Sequence, residues 1–590
     1  MRTDYLKLFA ASLLAGGVSS AGQLYAQGKQ PNIILILADD QGWGDLSFNG
    51  NLSVSTPNID RIASEGASFS NFYVCPVSSP TRAELLTGRY AARGGVRDVS
   101  RGGERLNLNE VTIANYFKEA GYTTGAFGKW HSGTQYPYHP NARGFDEFYG
   151  FCSGHWGNYW SPMLEHNGEI VTGTGFIIDD LTSKAIGYIK ENKDSPFFVY
   201  LPYNTPHSPM QVPDKWWNLV KDREIKQGTT TTDEENMDFT KAALALTENI
   251  DWNVGRVMDA INGLGLDENT IILYLTDNGP NSNRWNAGMT GRKGSTDEGG
   301  VRSPLFIRWP GQIQAGTIIN QLSGAIDLMP TLLDLSGKLP RFRNEIDGIS
   351  LKPIFGNPQN IIPRTLFSHW NKRKAVRTQD FLLNFEGKLY NTAEDRTQKH
   401  DLSETDKGKT AEMKRALAWY EDQVLSLLPE KDTRPFTIAH PAEKFSKLPA
   451  RDGTPHGGIE RSCRHPNNSY FLNWTKPTDS ITWNVKVEEA GRFEVIVYYT
   501  CAPEDVGSTI QVSVGENQLS AKLTKANDVP MLGAELDRVP RQESYVKGFA
   551  PFSLGQITLT KGEQKVSIHA PQIPGEEVMY FQMLVFMRKP

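Results

Sequence analysis

Apolar and polar positions alternate on a scale that marks a layered α/β chain. Asn32 to Ala38 reads N-I-I-L-I-L-A. A continuous apolar run of this length suits a strand buried on both faces of a parallel sheet. It stops abruptly at Asp39-Asp40-Gln41-Gly42. Thr56-Pro57 then opens a helical pattern through Ile59, Ile62 and Ala63, closed by Gly66, and Asn109 to Ala120 is a second amphipathic helix. The strand-like segment Thr123 to Phe127 runs into Gly128-Lys129-Trp130-His131. A helix over Leu181 to Asn192 precedes the strand Phe197 to Leu201, which leads to Thr205-Pro206-His207. A long helix, Asp238 to Ile261, precedes Thr270 to Leu275, which ends in Thr276-Asp277-Asn278-Gly279. Strands alternating with helices predict a mostly parallel central sheet flanked by helices. Such sheets bind ligands beyond the carboxyl ends of their strands. Asp39/Asp40, Lys129/His131, His207 and Asp277/Asn278 are therefore expected on one face.

From Gly458 onward the period changes to two. Ser480 to Val487, Arg492 to Tyr499, Ser508 to Val514, Gln556 to Leu559, Gln564 to His569 and Met579 to Phe586 read as strands separated by glycine, proline and acidic turns. That spacing predicts an antiparallel β-sandwich. The proline- and charge-rich stretch before it reads as a linker. The expected organisation is a signal peptide over 1–26, a catalytic α/β domain over 27–355, a small α+β subdomain over 356–428, a linker over 429–457 and the sandwich over 458–590.

At the N-terminus, Arg2 and Lys7 precede an apolar, small-residue run from Leu8 to Ala21, with Ala26 as a small residue for cleavage. This is the pattern of an export signal. It implies a periplasmic or secreted protein, and the run is too short and glycine-interrupted for a retained membrane anchor. Export permits disulfides, and Cys463 and Cys501, both in the last domain, are the favoured pair among the four cysteines. A formal net charge of −5 gives no reason to expect a nucleic-acid partner.

The chemistry concentrates at Ser78-Ser79-Pro80-Thr81-Arg82. Ser79 as a cap and Pro80 at the first helical position predict a helix start. Ser78 would sit at its mouth, where free N–H groups favour an anion, and Arg82 adds a planar donor fork. A hydroxyl, a helix N-terminus and an arginine suit attack on a phosphate or sulfate. Asp39, Asp40, Asp277 and Asn278 are all hard oxygen donors. With no cysteine cluster or His-x-x-x-His spacing to suggest zinc, they suit Ca²⁺ or Mg²⁺, and Ca²⁺ tolerates crowded carboxylates better.

The stretch Ser78-x-Pro80-x-Arg82, followed by Thr87-Gly88-Arg89, resembles the signature of the formylglycine-dependent type I sulfatases, members of the alkaline phosphatase-like superfamily. The resemblance runs from Pro31 to Leu402. It includes Gly128-Lys129-x-His131, Pro206-His207, Lys293 before Glu298-Gly299-Gly300-x-Arg302-x-Pro304, and Leu389-Tyr390-Asn391, where the usual pattern ends in Asp. It implies that Ser78 is oxidised to formylglycine by a serine-competent, radical-type maturase. It also implies that Asp39, Asp40, Asp277, Asn278 and residue 78 hold Ca²⁺. Arg82, Lys129 and Lys293 would grip the sulfuryl oxygens, His207 would protonate the leaving alcohol, and His131 would take a proton from the second hydroxyl of the hydrate.

The ring-rich segment Arg143 to His166 suggests sugar contacts, with His155, Trp156 and Trp160 as candidates together with Trp370. The expected substrate is a sulfated glycan. The sandwich is expected to brace the catalytic domain or bind carbohydrate. Two rival readings are a phosphohydrolase of the same superfamily and a catalytically silent glycan-binding protein in which Ser78 stays unmodified.

Overall fold

In the computed structural model, which describes residues 29–229 and 234–589, the run Asn32–Asp39 lies near the middle of a ten-stranded sheet. The signal-peptide reading of 1–26 falls outside the described residues. Asn32–Asp39 pairs in parallel with Phe197–Pro206 on one side and Thr270–Thr276 on the other. Thr123–Lys129 pairs in parallel with Phe197–Pro206 and with Glu147–Phe151. Antiparallel pairings begin beyond this group, at Leu305–Arg308 on one flank and Met163–His166 on the other.

The unbroken apolar run has a direct cause. Side chains alternate across a strand, and both faces are covered. Ile34 and Ile36 enter one core with Leu246 and Ile250 of the helix Met237–Gly263. Ile33, Leu35 and Leu37 enter the other with Leu85, Leu86 and Leu332. Burying a side chain of this size contributes about 1.5–3 kcal/mol, which fixes the strand register.

A four-stranded antiparallel sheet follows, Leu366–Trp370, Arg373–Arg377, Phe381–Leu383 and Leu389–Asn391, with the helix Lys407–Gln423 packed on it. The last region is a two-sheet sandwich, almost wholly antiparallel. One sheet holds Ser480–Val487, Gly562–Gln572 and Thr509–Val514; the other holds Tyr580–Arg588, Gly491–Thr500 and Ala550–Leu559. Their inward residues, among them Trp483, Val497, Ile568 and Phe581, form one buried core.

Two expectations fail here. The stretch 429–457 is not only a linker. Phe436–Ile438 and Thr454–His456 both pair with Ser480–Val487, and Phe445–Pro449 pairs with Tyr580–Arg588. Pro449 and Pro455 are tolerated because these strands lie at sheet edges, where a missing N–H costs no ladder bond. Nor are Cys463 and Cys501 paired; all four cysteines are free. Cys463 Sγ lies 3.0 Å from the Gln542 carbonyl oxygen, while Cys501 Sγ lies 3.4 Å from that of Ala502. Cys463 is engaged by a distant segment and Cys501 by its own neighbour.

Candidate active site

The strand tips meet at the helix Ser78–Thr87. That helix begins two residues earlier than the capping argument placed it: extended Val77 is the cap position, and Ser78 is the first helical residue. Ser79 does not cap, because its hydroxyl donates to the Asp98 carbonyl at 2.9 Å. Pro80 is accommodated inside the first turn, where N–H groups lack intrahelical partners anyway. The helix is buried along its whole length, and the Thr81 hydroxyl ties it to the Asp277 carbonyl at 2.6 Å.

Ser78 Oγ lies 3.1 Å from Asp39 Oδ1, 3.3 Å from Asn278 Oδ1 and 3.4 Å from Lys129 Nζ. Three cationic groups face three carboxylates around it. Lys129 Nζ is 2.6 Å from Asp39, Arg82 Nη2 is 2.9 Å from Asp277, and Lys293 Nζ is 2.7 Å from Asp40. Asn278 Nδ2 donates to Asp40 Oδ1 at 2.8 Å. The carboxylates are almost fully buried, at 1% exposure or less. Burial opposes the charge of Asp39, but Lys129, His207, Arg82 and Lys293 together outweigh it and hold the carboxyl well below its usual range. Asp277 goes the other way: burial, then the charge of Asp39, pushes it up to about 6.

The donor chemistry fits a hard divalent cation. Oxygen atoms of Asp39, Asp40 and Asp277 lie within 4.8 Å of one another, with no sulfur or imidazole in the set. A cation entering among them relieves the repulsion that lifts Asp277, and an anion above Arg82, Lys129 and Lys293 restores the balance.

The backbone is held for this purpose. Asp40 and His131 both adopt positive φ, 64° and 60°, which a non-glycine residue resists. Asp40 N–H donates to Asp277 Oδ1 at 3.1 Å, and Arg284 Nη2 donates to the Asp40 carbonyl at 2.9 Å while its fork grips Asp45. The loop carrying Lys293 is anchored by Glu298, which accepts hydrogen bonds from Arg302, Arg377 and Tyr73. Gly299 and Gly300 are required by close approach: a Cβ would lie 2.2 Å from the Gly291 carbonyl oxygen and 2.1 Å from that of Ser295, respectively. The Glu-Gly-Gly-x-Arg run therefore positions Lys293 from behind.

Two histidines flank Ser78 across a cavity of about 250 Å³. His207 Nδ1 is 2.7 Å from the Ser208 carbonyl oxygen and Nε2 is 3.6 Å from Asp40 Oδ2. A proton on Nδ1 satisfies that carbonyl. His131 Nε2 is 2.8 Å from the Val99 carbonyl oxygen, and its Nδ1 is buried without a partner. Burial, then Lys129, pushes this imidazole well below its usual value, so the ring is neutral and, with Nε2–H facing the Val99 carbonyl, Nδ1 carries a free lone pair.

Of the four sugar-contact candidates, His155 and Trp370 line this cavity. Trp156 and Trp160 do not. Trp156 stacks on Phe151 at 4.9 Å and Trp160 packs against Phe176 at 5.6 Å, both at the edge of the catalytic core. Aromatic composition alone does not separate a stacking platform from core packing. Sequence reasoning also missed the positioning residues Asp45, Arg284, Tyr73 and Arg377, and the cavity-lining residues His465, Asn467 and Glu543 of the sandwich.

The family model named Sulfatase matches residues 31–338. The chain belongs to the sulfatase family. A second model, N-sulphoglucosamine sulphohydrolase, C-terminal, matches residues 293–407 of this sulfatase. It is 32% identical over 404 residues to the N-acetylgalactosamine-6-sulfatase of Mus musculus, covering 62% of this chain and 74% of that protein. It is 32% identical over 369 residues to human arylsulfatase A, covering 56% and 68%. Among solved structures it is similar to Ps i-CgsB in complex with k-i-k-neocarrahexaose, with a TM-score of 0.61 and 32% identity over 68% of this chain and 96% of that one. The protein is thus a sulfuric ester hydrolase. Among the described residues of this sulfatase, no helix is long and apolar enough to cross a membrane.

Proposed function

We propose that this sulfatase is exported to the periplasm or beyond, and there removes sulfate from a glycan through a formylglycine made from Ser78 by a serine-competent maturase. A Ca²⁺ ion held by Asp39, Asp40, Asp277, Asn278 and residue 78 completes the site. The observation that carries this reading is the position of Ser78 Oγ, at the floor of the cavity and within 3.4 Å of Asp39, Asn278 and Lys129. Support for a glycan comes from relatives named for N-acetylgalactosamine-6-sulfate and from the neighbour bound to a neocarrahexaose.

When bound, the cation supplies Lewis-acid polarisation, and hydrated formylglycine supplies a hydroxyl that a serine lacks the acidity to match. The remaining work falls to side chains. Arg82, Lys129 and Lys293 face the place where sulfuryl oxygens gather charge, in a buried setting that strengthens each contact. His207, with Nδ1 engaged by the Ser208 carbonyl, presents Nε2 to deliver a proton to the departing alcohol oxygen. His131 Nδ1 takes a proton from residue 78 when the aldehyde is restored. The two imidazoles suit opposite transfers because their surroundings differ.

Intact-mass spectrometry of active protein should find a loss of roughly 2 Da at Ser78, the two hydrogens removed by oxidation. The Ser78→Ala protein, made beside the same maturase, should lose sulfate release by several orders of magnitude. Full turnover by a protein whose Ser78 is unmodified would refute the proposal.

A further inference from the structure

Both matched family segments end by residue 407, and the sandwich lies beyond them. The sandwich nevertheless walls the cavity over Ser78, through His465, Asn467 and Glu543. Glu543 sits on a segment, residues 533–545, that is pinned to the catalytic domain at several points. Gln211 Nε2 donates to the Gly533 carbonyl at 2.7 Å, Arg538 N–H donates to the Met210 carbonyl at 3.0 Å, and Arg541 donates to the Gly157 carbonyl at 2.5 Å. Arg541 is also paired with Asp537 at 2.6 Å, both side chains being buried. The Ser208 hydroxyl donates to Glu543 Oε1. A side chain held this way is preorganised for recognition.

Glu543 does not stand alone. One ligand-type atom each from His155, His207 and Glu543 fall within 4.8 Å of one another. His155 is 5% exposed, and both its ring nitrogens are buried with no partner. Leaving such groups unmet is costly, so a polar group entering the cavity is drawn to them. A metal is a poor occupant, because His207 Nδ1 is committed to the Ser208 carbonyl and Nε2 faces Asp40. A sugar is a good one: hydroxyls both donate and accept, and a carboxylate has about four acceptor sites, of which Ser208 takes one. Glu543 stays ionised, because the two imidazoles and Ser208 outweigh the effect of burial.

We propose that Glu543, with His155, is the specificity-determining subsite of this sulfatase, accepting hydrogen bonds from hydroxyls of the sugar ring that carries the sulfate. This rests on the reading of Ser78 as the point of sulfate cleavage. The fixed negative charge disfavours a ring bearing a second anionic group on that side, whether carboxylate or sulfate. The substrate class is therefore a neutral sugar with a single sulfate.

The test uses full-length Ser78→Ala protein, which binds without turnover, and calorimetric titration with galactose 6-sulfate, galactose 4-sulfate, a disulfated galactose and inorganic sulfate. At least one monosulfated sugar should bind tenfold or more tightly than the disulfated one. Adding Glu543→Gln, which keeps an acceptor for Ser208, should weaken monosulfated binding at least tenfold and narrow the preference, with inorganic sulfate within twofold. Glu543→Ala should do the same, with a melting temperature close to the parent's. Unchanged sugar affinity and preference in both variants overturns the proposal, as does a parent that prefers the disulfated sugar. If inorganic sulfate binds and no sugar does, the subsite alone is wrong. If neither binds, the cavity is not where the sulfate is held, and the subsite falls with it.

Discussion

Stripping the divalent cation from the carboxylate cluster has an outcome that follows from the charges. In the cation-free protein burial opposes ionisation of Asp39 and Asp40, but the surrounding groups, Lys129 and Lys293 foremost with His207, together outweigh it and hold both carboxyls low. Asp277 is the exception, pushed from 3.8 to about 6 by burial and then by Asp39. Between those values the folded state binds more protons than the unfolded chain. Stability of the cation-free protein therefore falls as pH rises through this window, and the full penalty is reached above about 6. At ~1.4 kcal/mol per tenfold change, the gap from 3.8 to about 6 amounts to about 3 kcal/mol. A cation bound among the three carboxylates offsets that penalty. The increment in stability from millimolar CaCl₂ should accordingly grow by about 3 kcal/mol between about pH 4 and about pH 7, then level off. Urea denaturation of stripped and calcium-loaded full-length protein, at fixed ionic strength across that range, measures it. An increment that does not change with pH, or no increment at all, refutes the reasoning.

Two further outcomes follow from close contacts around the site and between the domains. Gly154→Ala puts a Cβ 2.3 Å from His131 Nε2 and 2.6 Å from Asn467 Nδ2, so the imidazole must move. A displacement of ~1 Å costs about 10²-fold in turnover, and kcat should fall by that factor with little change in melting temperature; normal kcat would dissociate His131 from the chemistry. Arg451 of the sandwich and Glu104 of the catalytic domain pair at 2.6 Å with 4% and 1% exposure. Arg451→Ala leaves that carboxylate buried and uncompensated, and denaturant unfolding should record a loss of about 3–5 kcal/mol; a loss within the ~1 kcal/mol of an exposed pair would contradict the burial.

Much of the catalytic layer was legible along the chain. Asp39, Lys129 and Asp277 each end an apolar run, and parallel pairing carries such ends to one edge whatever lies between them. The Ser78 stretch carried its own motif. The strands of the sandwich were equally legible, because one buried face imposes alternation on each. Local pattern misled where two outcomes share one composition. Trp156 and Trp160 have the makeup of a sugar platform and the packing of a core edge. Pro449 and Pro455 read as linker punctuation but occupy sheet edges, a position that exists only once the other strands are assembled.

The order of strands and helices, the Ser78 motif and the oxygen-donor pairs were thus carried by residues near one another in the chain. The wall of the cavity was decided only by folding. Ser208 and Glu543 stand 335 positions apart, and Arg451 and Glu104 stand 347 apart. No hydrophobic period or turn signal encodes such a meeting, because it depends on how two completed domains dock. The physical reason is one of range: propensity and burial pattern act over a turn or a strand, whereas complementarity between surfaces arises only when both exist.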